Sequence, residues 1–263
     1  MPNNLTSILN FFVFNLIIIL ESFSPSRNEI ITKAKMCRIC YSRLTKFNIS
    51  RNKMLKMYDD YIYITEPKTK SACYIFYNNK QIDICFKGTS TFNDICFNLD
   101  IYPRVFINDS IRIHNGFLKK YLSMKNNIIK NINYILKNNN NKIKEISFNG
   151  HSSGGAIANI ASLDMSYIYE NVNIKCMTFG APRVGNIDFI NAYNSKIKNS
   201  LRIVNQNDII TYVPLPIIYT HNHHPFIINH SNYNNHIHIY QNKWNIINYF
   251  KSIHSITTYI KNL

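Results

Sequence analysis

Glycine is scarce in this chain: only seven of its 263 residues are glycine, and all seven fall between positions 88 and 185. Glycine accepts a positive φ angle or a close backbone approach without a steric penalty. Because the loops are otherwise filled with Asn and Lys, we expect these glycines to mark backbone positions with little freedom. Three of them surround a pair of adjacent serines, Ser152 and Ser153. This segment is therefore the first candidate for a functional site.

Acidic residues are also few: 14 Asp and Glu stand against 30 Lys and Arg, which gives a formal net charge of +16. The segment 33–56 holds eight basic residues and no acid. Such a charge attracts polyanions, either nucleic acid or an anionic membrane. The sequence lacks a zinc-finger pattern and an RNP-type motif, so we expect no nucleic-acid partner. A compositional bias towards Lys is the simpler explanation of this charge, and an anionic membrane bound through the basic N-terminal region is the better functional alternative.

The N terminus lacks basic residues ahead of its first apolar stretch. Residues 5–20, LTSILNFFVFNLIIIL, are short for a membrane span and have the length of a signal-peptide core. We predict a hydrophobic leader at 1–26, either a cleaved signal peptide or a membrane anchor, and a single domain at 27–263. The protein is then expected to be secreted or associated with a membrane. The alternative is that the stretch forms an apolar first helix of the domain.

The six cysteines are an even number, which would allow disulfides in a secreted protein. Two apolar runs joined by a short Asn-Asn-Lys segment predict a β-hairpin; they are ACYIFY (72–77) and QIDICF (81–86). If Tyr77 pairs with Gln81, Cys73 lies opposite Cys85. This pair is predicted to form either a disulfide or two buried thiols.

The order of the apolar segments predicts an α/β protein. The segments are a strand at 145–150 (EISFNG), a helix at 154–170, and strands at 173–180 (NIKCMTFG) and 201–208 (LRIVNQND). Strands that alternate with helices favour a mostly parallel sheet with helices on its faces. Two further helices are predicted over 27–60 and 245–262. The sequence shows no internal repeat and no second domain.

The serine pair lies in a Gly-x-Ser-x-Gly motif, GHSSG at 150–154, between a predicted strand and a predicted helix. This is the context of a nucleophile elbow, a tight turn that raises the central hydroxyl above the sheet. We therefore predict that Ser152 is a nucleophile. The backbone N–H of Ser153 would lie at the helix start and point into an oxyanion hole.

A serine nucleophile needs a base, and the base needs an acid that orients it. Four acids follow Ser152 in the chain; they are Asp164, Glu170, Asp188 and Asp208. The first two lie within or at the end of the predicted helix, which points them away from the site. Asp208 ends a predicted strand at the carboxyl edge of the sheet, where sites gather. We predict Asp208 as the acid, with Asp188 as the alternative.

Seven histidines follow Asp208, so the base is harder to choose. His254 stands apart near the C terminus, and the residues alone do not separate it from His236 or His238. The group HNHH at 221–224 suggests a metal site as an alternative, since His is a common ligand. No Cys lies nearby, and Asp208 is the only nearby acid. We therefore predict no metal.

Taken together, these motifs resemble the class 3 lipases, the fungal-lipase-like α/β-hydrolases. The matching stretches are CFKGTST (85–91), IHNGFLKKY (113–121), TFGAPRVGN (178–186), RIVNQNDIITYVPLP (202–216) and HSITTY (254–259). The resemblance covers roughly residues 72–259. It implies the α/β-hydrolase fold, with a mostly parallel central sheet and helices on both faces. It also supports Asp208 as the acid and favours His254 as the base.

The resemblance implies further roles around the predicted elbow. Thr89 matches the family residue that supplies an oxyanion-hole donor. The segment 90–108 would be a lid that faces lipid, and ordinary core packing is the alternative for its apolar residues. The candidate contacts are Phe92, Ile95, Phe97 and Tyr102, with Ile101, Val105 and Phe106 nearby. The family's D-W-x-x-D motif in this region reads DICFN here, at 94–98. The resemblance implies no metal or organic cofactor.

The expected function is hydrolysis of lipid esters by a Ser-His-Asp triad through an acyl-enzyme, with triacylglycerol as the first candidate substrate. A phospholipase of the same fold is the alternative, because the basic surface would favour anionic headgroups. A further alternative is an inactive hydrolase fold that binds membranes. The complete set of Ser152, Asp208 and His254 argues against that alternative.

Overall fold

The computed structural model describes residues 23–42, 55–89, 100–140, 142–223, 225–228 and 250–263. Within these ranges the chain forms nine strands, five complete α-helices and a further helical segment at 250–254. The strands are β1 (Asp60–Glu66), β2 (Ser71–Tyr77), β3 (Gln81–Phe86), β4 (Pro103–Phe106), β5 (Asn108–His114), β6 (Glu145–His151), β7 (Asn173–Phe179), β8 (Asn199–Asn205) and β9 (Pro225–Ile228). The helices are α1 (Arg27–Ile39), α2 (Asn115–Asn138), α3 (Ser153–Ile168), α4 (Ile187–Lys196) and α5 (Ile256–Asn262).

Seven of the strands form one central sheet in the order β1-β2-β3-β6-β7-β8-β9. The first three pair antiparallel, and every pairing from β3 to β9 is parallel. β4 and β5 form a separate antiparallel pair. Strands β2, β3 and β6 are almost entirely buried, which is why their sequences read as near-continuous apolar runs.

Helices cover both faces of this sheet. Leu118 of α2, Ile157 of α3 and Phe189 of α4 belong to one core cluster with residues of β2, β3 and β6. Ala34 of α1 and Tyr259 of α5 belong to a second cluster, on the opposite face, with residues of β7 and β8. The structure thus has the mostly parallel sheet and the two helical layers that the sequence predicts.

A buried ion pair attaches α1 to the sheet. Lys33 Nζ contacts Asp83 Oδ1, and both side chains are almost completely shielded from solvent. Tyr58 Oη and Gln81 Nε2 donate to Asp83 Oδ2 at 2.5 Å and 2.6 Å. Burial acts to lower the pKa of Lys33, but the Asp83 carboxylate raises it, and the net result is a raised pKa. Lys33 is therefore not part of the basic surface that the sequence predicts, because its charge is buried and paired with Asp83.

Two predicted helices are wrong in extent. The N-terminal helix ends at Ile39, and Asp60–Glu66 is strand β1, paired in register with β2. The intervening segment 43–54 lies outside the described residues. The C-terminal helix is interrupted at Ser255, whose hydroxyl accepts a hydrogen bond from Thr257 N at 3.3 Å and caps α5.

The predicted pairing of the hairpin is wrong by one residue. Tyr77 pairs with Ile82, so Cys73 lies opposite Phe86 and Cys85 lies opposite Tyr74. Gln81 belongs to the turn side of this register because its N–H and that of Lys80 both donate to Asn78 Oδ1. A one-residue shift moves a side chain to the other face of a sheet, so no disulfide joins the two cysteines. The five cysteines within the described ranges are all buried free thiols, and Cys96 lies outside those ranges.

The predicted leader falls almost wholly on residues 1–22, which lie outside the described part of the chain. Within that part, no helix combines the length and the apolarity that crossing a bilayer requires.

Candidate active site

Ser152 lies at the sharp turn between β6 and α3. Its backbone angles are φ 60° and ψ −134°, a combination that non-glycine residues rarely adopt and that costs about 1–3 kcal/mol. The N–H of Ser152 donates to Phe179 O at 2.9 Å, which ties the turn to the end of β7. A Cβ atom at Gly150 would overlap the backbone of Gly154. The scarce glycines therefore stand where the elbow leaves no room for a side chain.

Asp208 and His254 form a buried pair. Asp208 follows β8, and its carboxylate accepts from His254 Nδ1, at 2.8 Å for Oδ2 and 3.0 Å for Oδ1. Tyr259 Oη donates to Oδ2 at 2.7 Å, and Ile210 N donates to Oδ1 at 3.0 Å. Burial and the charge of Asp208 raise the pKa of Tyr259 well above its usual value, so Tyr259 remains a hydrogen-bond donor. The alternative acid, Asp188, lies instead in the first turn of α4.

His151, which precedes the elbow serine, connects the elbow to His254. His151 Nε2 lies 2.6 Å from the backbone oxygen of His254, and the two rings lie 4.7 Å apart. Tyr41 Oη lies 2.7 Å from His151 Nδ1. The carbonyl can only accept, so Nε2 carries the proton and Nδ1 accepts from Tyr41. Burial, reinforced by His254, lowers the pKa of His151 well below its usual value and keeps the ring neutral.

Sequence reasoning missed this supporting layer. In the sequence, His151 occupies a variable position of the Gly-x-Ser-x-Gly motif, and Tyr259 is the last residue of the matching stretch HSITTY. Tyr41 lies just beyond α1, in a region without a usable motif. The adjacency of His151 to Ser152 was the one local signal that could have identified it.

The structure brings the two predicted oxyanion-hole residues together. Thr89 N donates to Ser153 Oγ at 2.9 Å, and Thr89 Oγ1 lies 2.8 Å from the same oxygen. Lys120 Nζ donates to Thr89 Oγ1 at 3.4 Å. The Thr89 N–H therefore already donates its hydrogen bond to the Ser153 hydroxyl in this structure.

Ser152 is completely buried, and His254 is only 5% exposed. Ser152 Oγ and His254 Nε2 have no hydrogen-bond partner among the described residues. These are the two atoms that a serine–histidine hydrogen bond would join, and catalytic bonds of this kind often tighten only when substrate is bound.

The predicted lid is described only in part. Phe92, Ile95 and Phe97 lie outside the described residues. Tyr102 is 77% exposed, as a lipid-facing residue would be, whereas Phe106 is buried in the main core and is an ordinary packing residue.

The histidines proposed as metal ligands bind the backbone where they are described. His221 Nε2 lies 2.5 Å from Thr211 O, and His223 Nε2 lies 3.3 Å from Ile197 O. His224 is not part of the described chain, and neither are His236 and His238, the alternatives to His254 as the base. No group of three or more His, Cys, Asp or Glu residues in the described ranges could hold a metal ion.

Comparison with known proteins gives a family match and a structural match. The profile of the family described as lipase (class 3) matches residues 84–217. The secreted mono- and diacylglycerol lipase MDL2 of Malassezia globosa is 34% identical over 112 residues, which cover 42% of this chain and 36% of that protein. The chloroplastic phospholipase A(1) DAD1 of Arabidopsis thaliana is 31% identical over 112 residues, which cover 41% of this chain and 25% of that protein. The chain thus aligns with well under half of the length of these relatives.

The fold comparison extends further along the chain. The structure of a triacylglyceride lipase from Rhizomucor miehei superposes with a TM-score of 0.67 and 21% identity, covering 80% of this chain and 82% of that one. At this level of identity the likeness concerns the fold, and it confirms the predicted α/β-hydrolase architecture.

Proposed function

Because the chain belongs to the class 3 lipase family, we propose that it is a carboxylic ester hydrolase that acts on lipids, with Ser152 as its nucleophile. The observation that carries this proposal is the buried Asp208–His254 pair, which His151 joins to a serine held at a positive φ angle. A strained serine and a buried acid–base pair are costly to maintain, and they are typical of sites that perform covalent catalysis.

In the proposed reaction, His254 Nε2 takes the proton of Ser152 Oγ as that oxygen attacks the ester carbonyl. The imidazolium that forms is stabilised by Asp208, and it returns the proton to the departing alcohol. Water, activated by the same nitrogen, then releases the fatty acid from Ser152. Asp208 itself takes up no proton during the reaction, because its carboxylate only orients the imidazole and stabilises its charged form.

The oxyanion of each tetrahedral intermediate is proposed to bind at Thr89 and at the backbone N–H of Ser153. Donors of this kind contribute about 3–4 kcal/mol each to transition-state stabilisation. The Ser153 hydroxyl must release the Thr89 amide before that amide can serve. Access to the buried Ser152 also requires a movement of the residues that cover it.

The substrate is proposed to be an ester of glycerol and a fatty acid. Triacylglycerols and glycerophospholipids share this bond, and the acid–base geometry suits both. Relatives whose names specify acylglycerols or a phospholipase support the two candidates alike. The name of the secreted relative supports secretion for this chain, and the packing of all the described helices on one sheet supports a single domain over 27–263.

The test is fatty-acid release from emulsified triacylglycerol and from phospholipid vesicles, by the wild type and by Ser152→Ala. Ser166→Ala is the matched control, because Ser166 is a buried serine on α3 whose hydroxyl bonds only Leu163 O, within the helix. We expect release by the wild type and by the control, and none by Ser152→Ala. A fluorophosphonate, which labels activated serines, should modify Ser152 in the wild type.

Equal release by the wild type and Ser152→Ala would reject Ser152 as the nucleophile. Release that is lost in Ser166→Ala as well would show that the assay reports folding rather than catalysis.

A further inference from the structure

A cavity of about 770 Å³ adjoins the oxyanion candidates Thr89 and Ser153. The turn between β1 and β2 forms one wall, and the start of α2 with His114 forms another. The cavity therefore lies where the part of a substrate next to the ester bond would be placed. Apart from Thr89 and Ser153, none of its lining residues has a role in the reaction proposed above.

Positive charge dominates the lining. Four lysines line the cavity, and we call this surface the lysine cleft; they are Lys68, Lys70, Lys87 and Lys120. Among the described residues, two acids also line it, and both have partners. Asp100 accepts from Lys119 Nζ at 2.6 Å and from Asn115 Nδ2 at 2.7 Å, and Glu66 accepts from Lys68 N at 3.1 Å. The Asp100 charge is thus balanced by a lysine outside the cleft, and among the described lining residues the lysines outnumber the acids.

Lys120 connects the cleft to the proposed chemistry. Its ammonium donates to Thr89 Oγ1 at 3.4 Å, so a cation directly contacts one of the two oxyanion candidates. His114, on the adjoining wall, is buried, and its Nδ1 has no hydrogen-bond partner in the described part of the chain. Burial first, and then Lys120, lower the pKa of His114 to about 4, so this ring stays neutral and does not add to the charge.

A triacylglycerol has no group that matches such a lining. Its three esters are uncharged and its acyl chains are apolar, so placing it against ammonium groups costs desolvation without a compensating ion pair. A phosphodiester carries a full negative charge and accepts several charge-assisted hydrogen bonds from lysine. The chemistry of the cleft therefore distinguishes between the two candidate substrates.

We propose that the lysine cleft binds the phosphate of an anionic glycerophospholipid while its acyl ester lies at Ser152. This inference rests on the proposed function and narrows it to a phospholipase that prefers an anionic headgroup. The reaction adds water across the acyl ester and gives a fatty acid and a lysophospholipid, and the phosphodiester is held but not cleaved.

The test uses short-chain lipids below the concentration at which they aggregate, because a strongly basic protein would bind any anionic vesicle. The substrates are diheptanoyl phosphatidylglycerol, diheptanoyl phosphatidylcholine and diheptanoylglycerol, and the measured quantity is kcat/KM for each. The variants are Lys120→Gln and Lys68→Gln/Lys70→Gln. The double variant changes only exposed side chains of a turn and so preserves folding. The matched control is Lys130→Gln, which removes the same charge from an exposed position on α2 that does not line the cavity.

We expect the wild type to prefer phosphatidylglycerol. The ratio of its kcat/KM to that for diheptanoylglycerol should fall about tenfold for Lys120→Gln, the loss that one charge-assisted contact implies. It should fall by a similar factor for the double variant, and Lys130→Gln should keep the wild-type ratio. Raising the ionic strength from about 0.05 M to about 0.5 M should lower the ratio for the wild type. Glycerol 3-phosphate should compete with phosphatidylglycerol more strongly than inorganic phosphate does, which separates a headgroup site from a free-phosphate site.

An unchanged ratio in both cleft variants would overturn the inference, even if all rates fell together, because that pattern assigns Lys120 to the oxyanion hole alone. Inorganic phosphate that competes as well as glycerol 3-phosphate would also overturn it. Hydrolysis of none of the three lipids, with no fluorophosphonate labelling of Ser152 in the folded protein, would reject the proposed function itself. The two failures are therefore distinguishable.

Discussion

Replacing Asp208 by Asn tests the acid–base pair with the smallest change of shape. The carboxylate accepts hydrogen bonds on both oxygens: Ile210 N at Oδ1, Tyr259 Oη at Oδ2, and His254 Nδ1 at both. An Asn side chain keeps one of these oxygens and turns the other into an NH₂ donor. The amide must therefore face either the Ile210 N–H or the Tyr259 hydroxyl with its nitrogen.

The second orientation costs less, because a backbone N–H cannot accept a hydrogen bond whereas a tyrosine oxygen can. It places the amide nitrogen where Oδ2 now lies, 2.8 Å from His254 Nδ1. The shorter of the two contacts of that ring nitrogen is then with a donor, so we expect the nitrogen to accept there and its proton to move to Nε2. A histidine protonated at Nε2 cannot remove the proton of Ser152. The expected loss in kcat is about 10⁴-fold, or about 5.5 kcal/mol, as for a triad held in the wrong tautomer.

The assay is the kcat for a short-chain nitrophenyl ester, together with the rate at which a fluorophosphonate labels Ser152. Asp188→Asn is the matched control, because Asp188 lies at the surface start of α4 and accepts only from Asn186 Nδ2, at 3.3 Å. We expect the control to stay within about twofold of the wild type. Asp208→Asn with a kcat within about tenfold of the wild type, in a folded protein, would refute the tautomer reasoning.

Two further predictions concern the residues around the site. Tyr41→Phe removes the donor to the buried His151 Nδ1, so the free energy of unfolding in urea should fall by about 1–3 kcal/mol, and kcat should fall because His151 holds the His254 backbone; no change in either quantity would contradict this role. His114 and His221 have a pKa of about 4 in the folded protein, caused first by burial, against about 6.5 when unfolded. As the pH falls, the unfolded chain therefore binds more protons at these rings than the folded protein does. The contribution of these rings to the free energy of unfolding should be fully present above about pH 6.5 and should decline towards pH 4, by up to about 3 kcal/mol per ring. His221→Gln should flatten this slope in urea unfolding series, and an identical slope would reject the assignment.

The features that could be predicted from the sequence are those that short segments determine by themselves. The elbow is indicated by three glycines close to Ser152 in the sequence. Gly150 is restricted by the backbone of the same turn, whereas Gly154 lies against the end of β3 and Gly155 against Ala181. The parallel strands β3 and β6 are buried on both faces, so their apolar runs identify them without reference to their partners. Asp208 could be chosen because a strand end is a local property. His254 could not be separated from other histidines by its surroundings alone, and only the family resemblance favoured it.

The features that could not be predicted depend on register or on packing between distant segments. The observed register of the hairpin differs from the predicted one by a single residue, because the side chain of Asn78 accepts hydrogen bonds from two backbone amides in the turn. The pattern of strand residues does not reveal this interaction. That single step places Cys73 and Cys85 on opposite faces. The sequence groups Lys33 with the basic surface because its partner Asp83 lies 50 residues away, in a strand that is otherwise mostly apolar.

The site depends on the whole fold rather than on the elbow alone. The bond between Tyr41 and His151 joins residues 110 positions apart, the contact of His151 with His254 spans 103, and the bond between Tyr259 and Asp208 spans 51. Tyr41 lies next to α1, and Tyr259 lies in α5. These two helices pack together in one core cluster on one face of the sheet. Strain at Ser152 and the burial of Asp208 each oppose folding, so they persist only because these long-range contacts hold them in place. The orientation of His254 is thereby coupled to the docking of α1, a helix that the family profile at 84–217 does not include.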